Sequence, residues 1–94
     1  MFEMRVEADG VVRLSGRLDA SQSDQALEKL RALEGPMTLD CSALEYISSA
    51  GLRVVLMTYK RIEAAGHSFR LVNLQPMVRN VITYAGLHRL LNID

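Results

Sequence analysis

The sequence has only one cysteine, Cys41, among its 94 residues, so the chain cannot form an internal disulfide. A single free thiol is typical of a protein in a reducing compartment, and we expect Cys41 to be buried in a strand. Net charge is also absent, because 11 basic and 11 acidic side chains cancel. The chain therefore has no overall field to attract nucleic acid or anionic lipid, which argues against a nucleic-acid-binding protein.

Long apolar runs are missing as well. The longest aliphatic run spans residues 54–57, far short of the ~20 residues that a membrane helix needs. The first residues alternate between apolar and charged side chains, which is not the basic-then-apolar pattern of a signal peptide. We therefore expect a cytoplasmic protein without membrane insertion, organised as one domain over residues 1–94.

Motifs for catalysis and for cofactor binding do not occur. The two histidines, His67 and His88, stand apart, and no Cys/His cluster has metal-ligand spacing, so we expect no metal. No G-x-S-x-G elbow surrounds Ser48 and Ser49, and there is no glycine-rich phosphate loop. We therefore predict that the protein uses no cofactor and is not an enzyme.

Hydrophobic periodicity predicts an α/β chain with the order β-β-α-β-α-β-α-(β). Residues 2–6 and 12–16 alternate as two strands of a hairpin around Asp9-Gly10, a dipeptide suited to a tight turn. Helical stripes follow at residues 26–33, 52–62 and 78–85, with Leu56 predicted to be a core residue of the second. Short strands are predicted at 37–41, 68–72 and 90–93. Because strand–helix–strand units need right-handed crossovers, we expect the later strands to be parallel and the sheet to be mixed.

Polar residues stand at the predicted starts of two helices. Asp19, Ser21 and Ser23 are candidate caps for the first helix, and Ser21 and Asp24 have the spacing of a capping pair. Ser48 and Ser49 stand where the second helix is predicted to begin, and we expect Ser49 to be its N-cap. A hydroxyl there projects from the surface, and a phosphate on it would meet free N–H groups and the positive end of the helix dipole.

Three blocks of sequence give the chain a family resemblance. Residues 16–19 (Gly-Arg-Leu-Asp), residues 39–47 and residues 48–54 (Ser-Ser-Ala-Gly-Leu-Arg-Val) resemble STAS domains, and above all those of the bacterial anti-sigma factor antagonists. The resemblance covers nearly the whole chain. It implies a single STAS domain of the α/β class, with a four- or five-stranded mixed sheet, an opening β-hairpin and about three packed helices.

The resemblance also implies a partner switch that regulates transcription or a related output. In its unphosphorylated form, the antagonist binds an anti-sigma factor that is also a serine kinase of the histidine-kinase-like ATPase type. The kinase phosphorylates one serine at the start of the second helix, which breaks the complex. A metal-dependent serine phosphatase of the PP2C type restores the unphosphorylated form.

The commonest form of the family motif, Asp-Ser-Ser-Gly, has its phosphate acceptor directly after the aspartate. Aligned without a gap, this motif makes Ser49 the acceptor and puts Ser48 in the place of the aspartate, so Ser49 ranks well ahead of Ser48. Arg53, where many relatives have glycine, lies one turn after Ser49, where it either approaches a phosphate or is simply an exposed, solubilising arginine. The partner-binding residues that the resemblance implies are Asp19, Ser48, Ser49, Ala50, Gly51 and Arg53.

Two other functions are open on the sequence alone. One is a STAS subunit of an ABC-type membrane transport complex, which docks on its ATPase without being phosphorylated. The other, ranked far lower, is a small hydrolase with Ser49 as its nucleophile. The intact serine block favours the partner switch over both.

Overall fold

The computed structural model describes residues 1–93, except for the side chain of Asn92. The elements are β1 Phe2–Val6, β2 Val11–Leu18, α1 Ala20–Arg31, β3 Met37–Ile47, α2 Ser49–Ala64, β4 Phe69–Val72, α3 Pro76–Tyr84 and β5 Asn92–Ile93. This order confirms the predicted succession of strands and helices.

Within residues 1–93, five strands form a mixed sheet in the order β1-β2-β3-β4-β5. β1 pairs with β2 in antiparallel orientation, and the later strands pair in parallel. The hairpin turns over Ala8–Gly10, where Asp9 and Gly10 both have positive φ angles, of 62° and 77°, a region that aspartate and glycine tolerate. The α/β fold with a mixed sheet and an opening hairpin is therefore confirmed.

The third strand is the main departure from the sequence analysis. The strand predicted to end at residue 41 continues to Ile47, so that β3 is 11 residues long. Its pairing with β2 shifts register twice, between Arg13 and Ser15 and between Gly16 and Arg17. Such bulges interrupt the apolar alternation by which a strand is recognised in a sequence, which is why the prediction stopped too early. The longer strand brings the start of α2 beside the end of β2.

The core lies on the face of the sheet that the helices cover. In β2, Val12, Leu14 and Leu18 are buried, whereas Arg13 and Arg17 on the opposite face are exposed. Cys41 is fully buried in β3, as predicted.

The buried side of α2 differs from the predicted stripe. Val54, Val55 and Ile62 are buried, but Leu56 is only partly so, and the prediction that Leu56 belongs to the core is wrong. Thr58 takes a core place instead, because its hydroxyl donates to the carbonyl of Val54 at 2.8 Å and so needs no water. The spacing of apolar residues cannot predict a buried polar residue of this kind.

Candidate functional site

The first helix begins directly after the second strand. β2 ends at Leu18, and Asp19 is the N-cap of α1. Its carboxylate accepts from the backbone N–H of Ser21 at 3.1 Å and from the Ser21 hydroxyl at 2.7 Å. The hydrogen bond from the Ser21 hydroxyl is the main reason why the pKa of Asp19 is lowered. Asp19 is therefore an ionised cap, and the predicted pairing of Ser21 with Asp24 is wrong because Ser21 donates to Asp19 instead.

The second helix begins in the same way, directly after the third strand. β3 ends at Ile47, and Ser48 is the N-cap of α2. The Ser48 hydroxyl oxygen accepts from the N–H of Gly51 at 3.1 Å. The expectation that Ser49 is the cap is therefore wrong by one residue. The reason is that β3 continues to Ile47, so the backbone is still extended at Ser48.

Ser49 is the first residue of α2, and its side chain is exposed. Within residues 1–93, its hydroxyl makes no hydrogen bond, whereas the half-buried hydroxyl of Ser48 is held by the cap. The two adjacent serines thus differ in role. One oxygen is fixed in the helix terminus, and the other is free at the surface.

A backbone contact joins the two helix starts. The N–H of Ser48 donates to the carbonyl of Leu18 at 3.0 Å, so Ser48 is bonded to the residue that directly precedes Asp19. Gly51 is buried against the same place, because a Cβ built on it would lie 2.7 Å from the Leu18 carbonyl oxygen and 2.8 Å from Cγ1 of Ile47. Any other residue would push α2 away from the ends of β2 and β3. The structure therefore brings Asp19, Ser48, Ser49 and Gly51 together.

The surface continues along α2 into a shallow hollow between α1 and α2. The hollow has a volume of about 200 Å³ and is lined in part by Asp24, Leu27, Ala50, Arg53 and Met57. Arg53 is exposed, one turn beyond Ser49, and makes no ion pair within residues 1–93. Ala50 and Arg53 thus join the predicted site to a small apolar depression with one charge of each sign at its rim. This depression has no signal in the sequence, because it depends on how the two helices pack.

Charged and polar groups also fix the carboxyl end of β4. The carboxylate of Asp40 accepts from the N–H of Ser42 at 3.0 Å and from the side-chain amide of Asn73 at 3.2 Å, and it lies 3.4 Å from the Arg13 guanidinium. These contacts, with the Ser42 N–H first, lower the pKa of Asp40. These contacts were not predicted, because Arg13 and Asn73 come from segments distant from Asp40 in the chain.

His67 is not placed to act as a base toward Ser49. The 16 residues of α2 separate Ser49 from the turn that holds His67, which corresponds to about 24 Å along the helix axis. Burial raises the pKa of the Cys41 thiol to about 12, so this sulfur is not a thiolate nucleophile. Among the residues that the structure describes, no three His, Cys, Asp or Glu side chains are grouped to hold a metal ion. In that same part of the chain, no helix is both long and apolar enough to cross a bilayer.

Comparison with known proteins gives a match over nearly all of the chain. A family model described as "Mlab, STAS domain" matches residues 1–92. BtrV of Bordetella bronchiseptica, provisionally named an anti-sigma factor antagonist, is 36% identical over 77 residues, which cover 78% of this chain and 66% of BtrV. An anti-sigma F factor antagonist of Paenibacillus polymyxa is 29% identical over 90 residues, which cover 88% of this chain and 75% of that protein.

The fold is likewise shared with a protein of known structure. The anti-sigma factor antagonist SpoIIAA in its unphosphorylated form superimposes with a TM-score of 0.79 at 22% identity, over 100% of this chain and 88% of that one. The phosphorylated form of the same Bacillus protein superimposes with a TM-score of 0.72 at 21% identity, over 100% of this chain and 91% of that one. At such identities, the likeness establishes the fold.

Proposed function

Because the chain belongs to the STAS-domain family, we propose that it is an anti-sigma factor antagonist whose binding to its partner is controlled by phosphorylation of Ser49. In this proposal it acts by binding and not by catalysis. Its partner is an anti-sigma factor that is also a serine kinase of the histidine-kinase-like ATPase type. A serine phosphatase of the PP2C type reverses the modification.

The observation that carries the proposal is the free, exposed hydroxyl of Ser49 at the start of α2. A kinase can reach this oxygen without disturbing the fold. Ser48 is a poorer acceptor, because its oxygen is half-buried and holds the N–H of Gly51 at 3.1 Å. Phosphorylation of Ser48 would have to remove the cap of α2. The geometry thus favours the same serine as the family motif.

The helix terminus explains why the domain would tolerate the modification. A phosphoserine at the start of a helix adds about 1.5 to 2 negative charges next to unpaired N–H groups and the positive end of the dipole. This placement favours the folded domain by about 0.3–1 kcal/mol. The fold therefore persists, and what changes is the charge that the surface presents to its partner.

The same charge accounts for release of the partner. The starts of α1 and α2 lie side by side, with Asp19, Ser49 and Ala50 around them. A partner must cover this place to reach the Ser49 hydroxyl. A phosphate buried in that contact without a matching cation would lose its hydration at a large energetic cost. The acceptor site and the binding surface are then one place, so that modification and dissociation are coupled.

The experiment is a kinase reaction followed by intact-mass measurement. The purified chain is incubated with ATP and the anti-sigma kinase from the organism that encodes it, beside the Ser49→Ala and Ser48→Ala variants. We expect the parent and Ser48→Ala to gain the mass of one phosphate and Ser49→Ala to gain none. If Ser48→Ala alone blocks the gain, the acceptor is Ser48. If the parent gains none and instead co-purifies with a transport ATPase, the chain is a STAS subunit of an ABC-type transporter.

A further inference from the structure

We propose that a second copy of this chain pairs with the free edge of β1, so that two sheets join through an antiparallel β1–β1 contact about a two-fold axis. β1 stands at one end of the strand order, and within residues 1–93 no strand pairs with its outer side. An open strand edge presents unpaired N–H and C=O groups, which are a template for another strand.

The hydrogen bonds to β2 determine which backbone groups of β1 face inward. The N–H of Arg17 donates to the carbonyl of Met1 at 2.7 Å, and the N–H of Glu7 donates to the carbonyl of Val11 at 2.7 Å. Residues of an antiparallel strand alternate between hydrogen-bonded and non-hydrogen-bonded places. The odd-numbered residues from 1 to 7 therefore direct their backbone groups toward β2.

The even-numbered residues Phe2, Met4 and Val6 consequently direct their N–H and C=O groups away from the sheet. A second copy related by a two-fold axis at Met4 places Met4 against its own counterpart and Phe2 against Val6 of the second copy. In this register, all three outward N–H groups and all three outward C=O groups of each strand find partners.

The charged side chains of β1 select this register over its neighbours. With the axis at Met4, Glu3 lies opposite Arg5 of the second copy, and Arg5 lies opposite Glu3 of the second copy. These pairs fall at non-hydrogen-bonded positions, where cross-strand side chains come closest. A shift of two residues in either direction would place glutamate against glutamate or arginine against arginine, and like charges directly opposite are destabilising.

The exposure of the strand fits the same contact. Glu3 and Arg5 are exposed and make no ion pair within residues 1–93. Val6 is apolar yet 57% exposed, and pairing would set it beside Phe2 of the second copy. Charges on an edge strand commonly prevent indiscriminate pairing. Here they oppose the two neighbouring registers and attract in the register with the axis at Met4.

The test is sedimentation equilibrium from about 1 μM to about 1 mM, the range of dissociation constants expected for small interfaces. We expect the parent to rise with concentration from 10.5 kDa toward twice that mass. Glu3→Arg and Arg5→Glu should each stay monomeric, because each places like charges opposite one another. An equimolar mixture of the two variants should associate, because the basic strand of one then faces the acidic strand of the other.

Two controls make the result decisive. Glu63→Arg reverses an exposed charge on α2 and should leave the dimer unchanged, and circular dichroism should show each variant to be folded. Amide exchange should slow at Met4 and Val6 only in the dimer, while the amides of Glu3 and Arg5 are protected in both states. A parent that stays monomeric, a dimer that survives both reversals, or variants that do not associate when mixed would each overturn the proposal.

Discussion

At the carboxyl ends of β2 and β3, one capping side chain joins each strand to its helix, whereas at the opposite end positive-φ glycines follow the helices. The capping side chains are those of Asp19 and Ser48. The glycines at the opposite end are Gly35 and Gly66, with φ angles of 89° and 84°. A cap made by a side chain leaves polar side-chain atoms at the surface, whereas glycine has no side chain. The proposed site lies at the end where side chains make the caps.

Of the substitutions that test this comparison, replacement of Gly51 should lower the free energy of unfolding most. A new Cβ would lie 2.7 Å from a backbone carbonyl oxygen, so we expect Gly51→Ala to lower the free energy of unfolding by about 1–3 kcal/mol. Gly51→Asn should cost more, because the larger side chain is more crowded. Urea denaturation measures both.

Gly66 is the matched control at the other end. Space around it is open, and only its φ of 84° opposes substitution. Gly66→Asn should therefore be milder than Gly66→Ala, because asparagine tolerates the left-handed region. If the Ala and Asn variants rank in the same order of stability at Gly51 and at Gly66, crowding does not distinguish the two ends.

Arg61 is the exception at the glycine end, because its side chain caps the carboxyl end of α1. Its guanidinium donates to the carbonyls of Leu30 and Leu33 at 2.8 and 3.0 Å. Arg61→Met should cost about 1–3 kcal/mol in unfolding free energy, because it leaves both partly buried carbonyls without that donor. Arg61→Lys should restore only part of the loss, since an ammonium lacks the planar fork. If Arg61→Met is as stable as the parent, Arg61 does not stabilise the end of α1.

The two serines should separate in a stability measurement. Ser48→Ala removes the acceptor for the Gly51 N–H and should cost about 1 kcal/mol. Ser49→Ala removes an exposed hydroxyl that holds nothing, and its cost should stay within about 0.5 kcal/mol. Thermal denaturation of the two variants, read side by side, tests this. Equal costs would mean that the cap is shared.

Protonation of Asp40 should weaken the carboxyl end of β4. The pKa of Asp40 is lowered in the folded state, so between its unfolded value of about 3.9 and the lower folded value the unfolded chain binds more protons. Stability that Asp40 contributes is therefore present above about pH 4 and lost as the pH falls through the folded pKa. The stability difference between the parent and Asp40→Asn should shrink with acidification. A difference independent of pH would rule out this contribution.

The sequence was sufficient for the order of elements and the mixed sheet, because both follow from local pattern, and it narrowed the cap of α1 to Asp19, Ser21 or Ser23. It favoured Ser49 as the cap of α2, where the structure has Ser48. That choice depends on where β3 ends, and β3 is extended by bulges that are defined only by pairing with β2. The packing of Gly51 against Leu18 and the hollow beside Arg53 likewise arise between distant segments. Local preference predicted which residues form the candidate site, and tertiary contacts fixed the hydrogen bonds of each of them.

The most direct test of the central claim is the affinity of the anti-sigma kinase for four forms of the chain: the parent, the phosphorylated parent, Ser49→Ala and Ser49→Asp. Calorimetry with a non-hydrolysable ATP analogue keeps the parent unmodified during the measurement. We predict that the parent and Ser49→Ala bind alike, while the phosphorylated form and Ser49→Asp bind at least about tenfold more weakly, a loss of about 1.4 kcal/mol or more. Ser49→Asp should meanwhile unfold at no lower temperature than the parent, because its charge lies at the favoured end of α2. Equal affinities of the phosphorylated and unphosphorylated chains would contradict the claim that Ser49 is the switch.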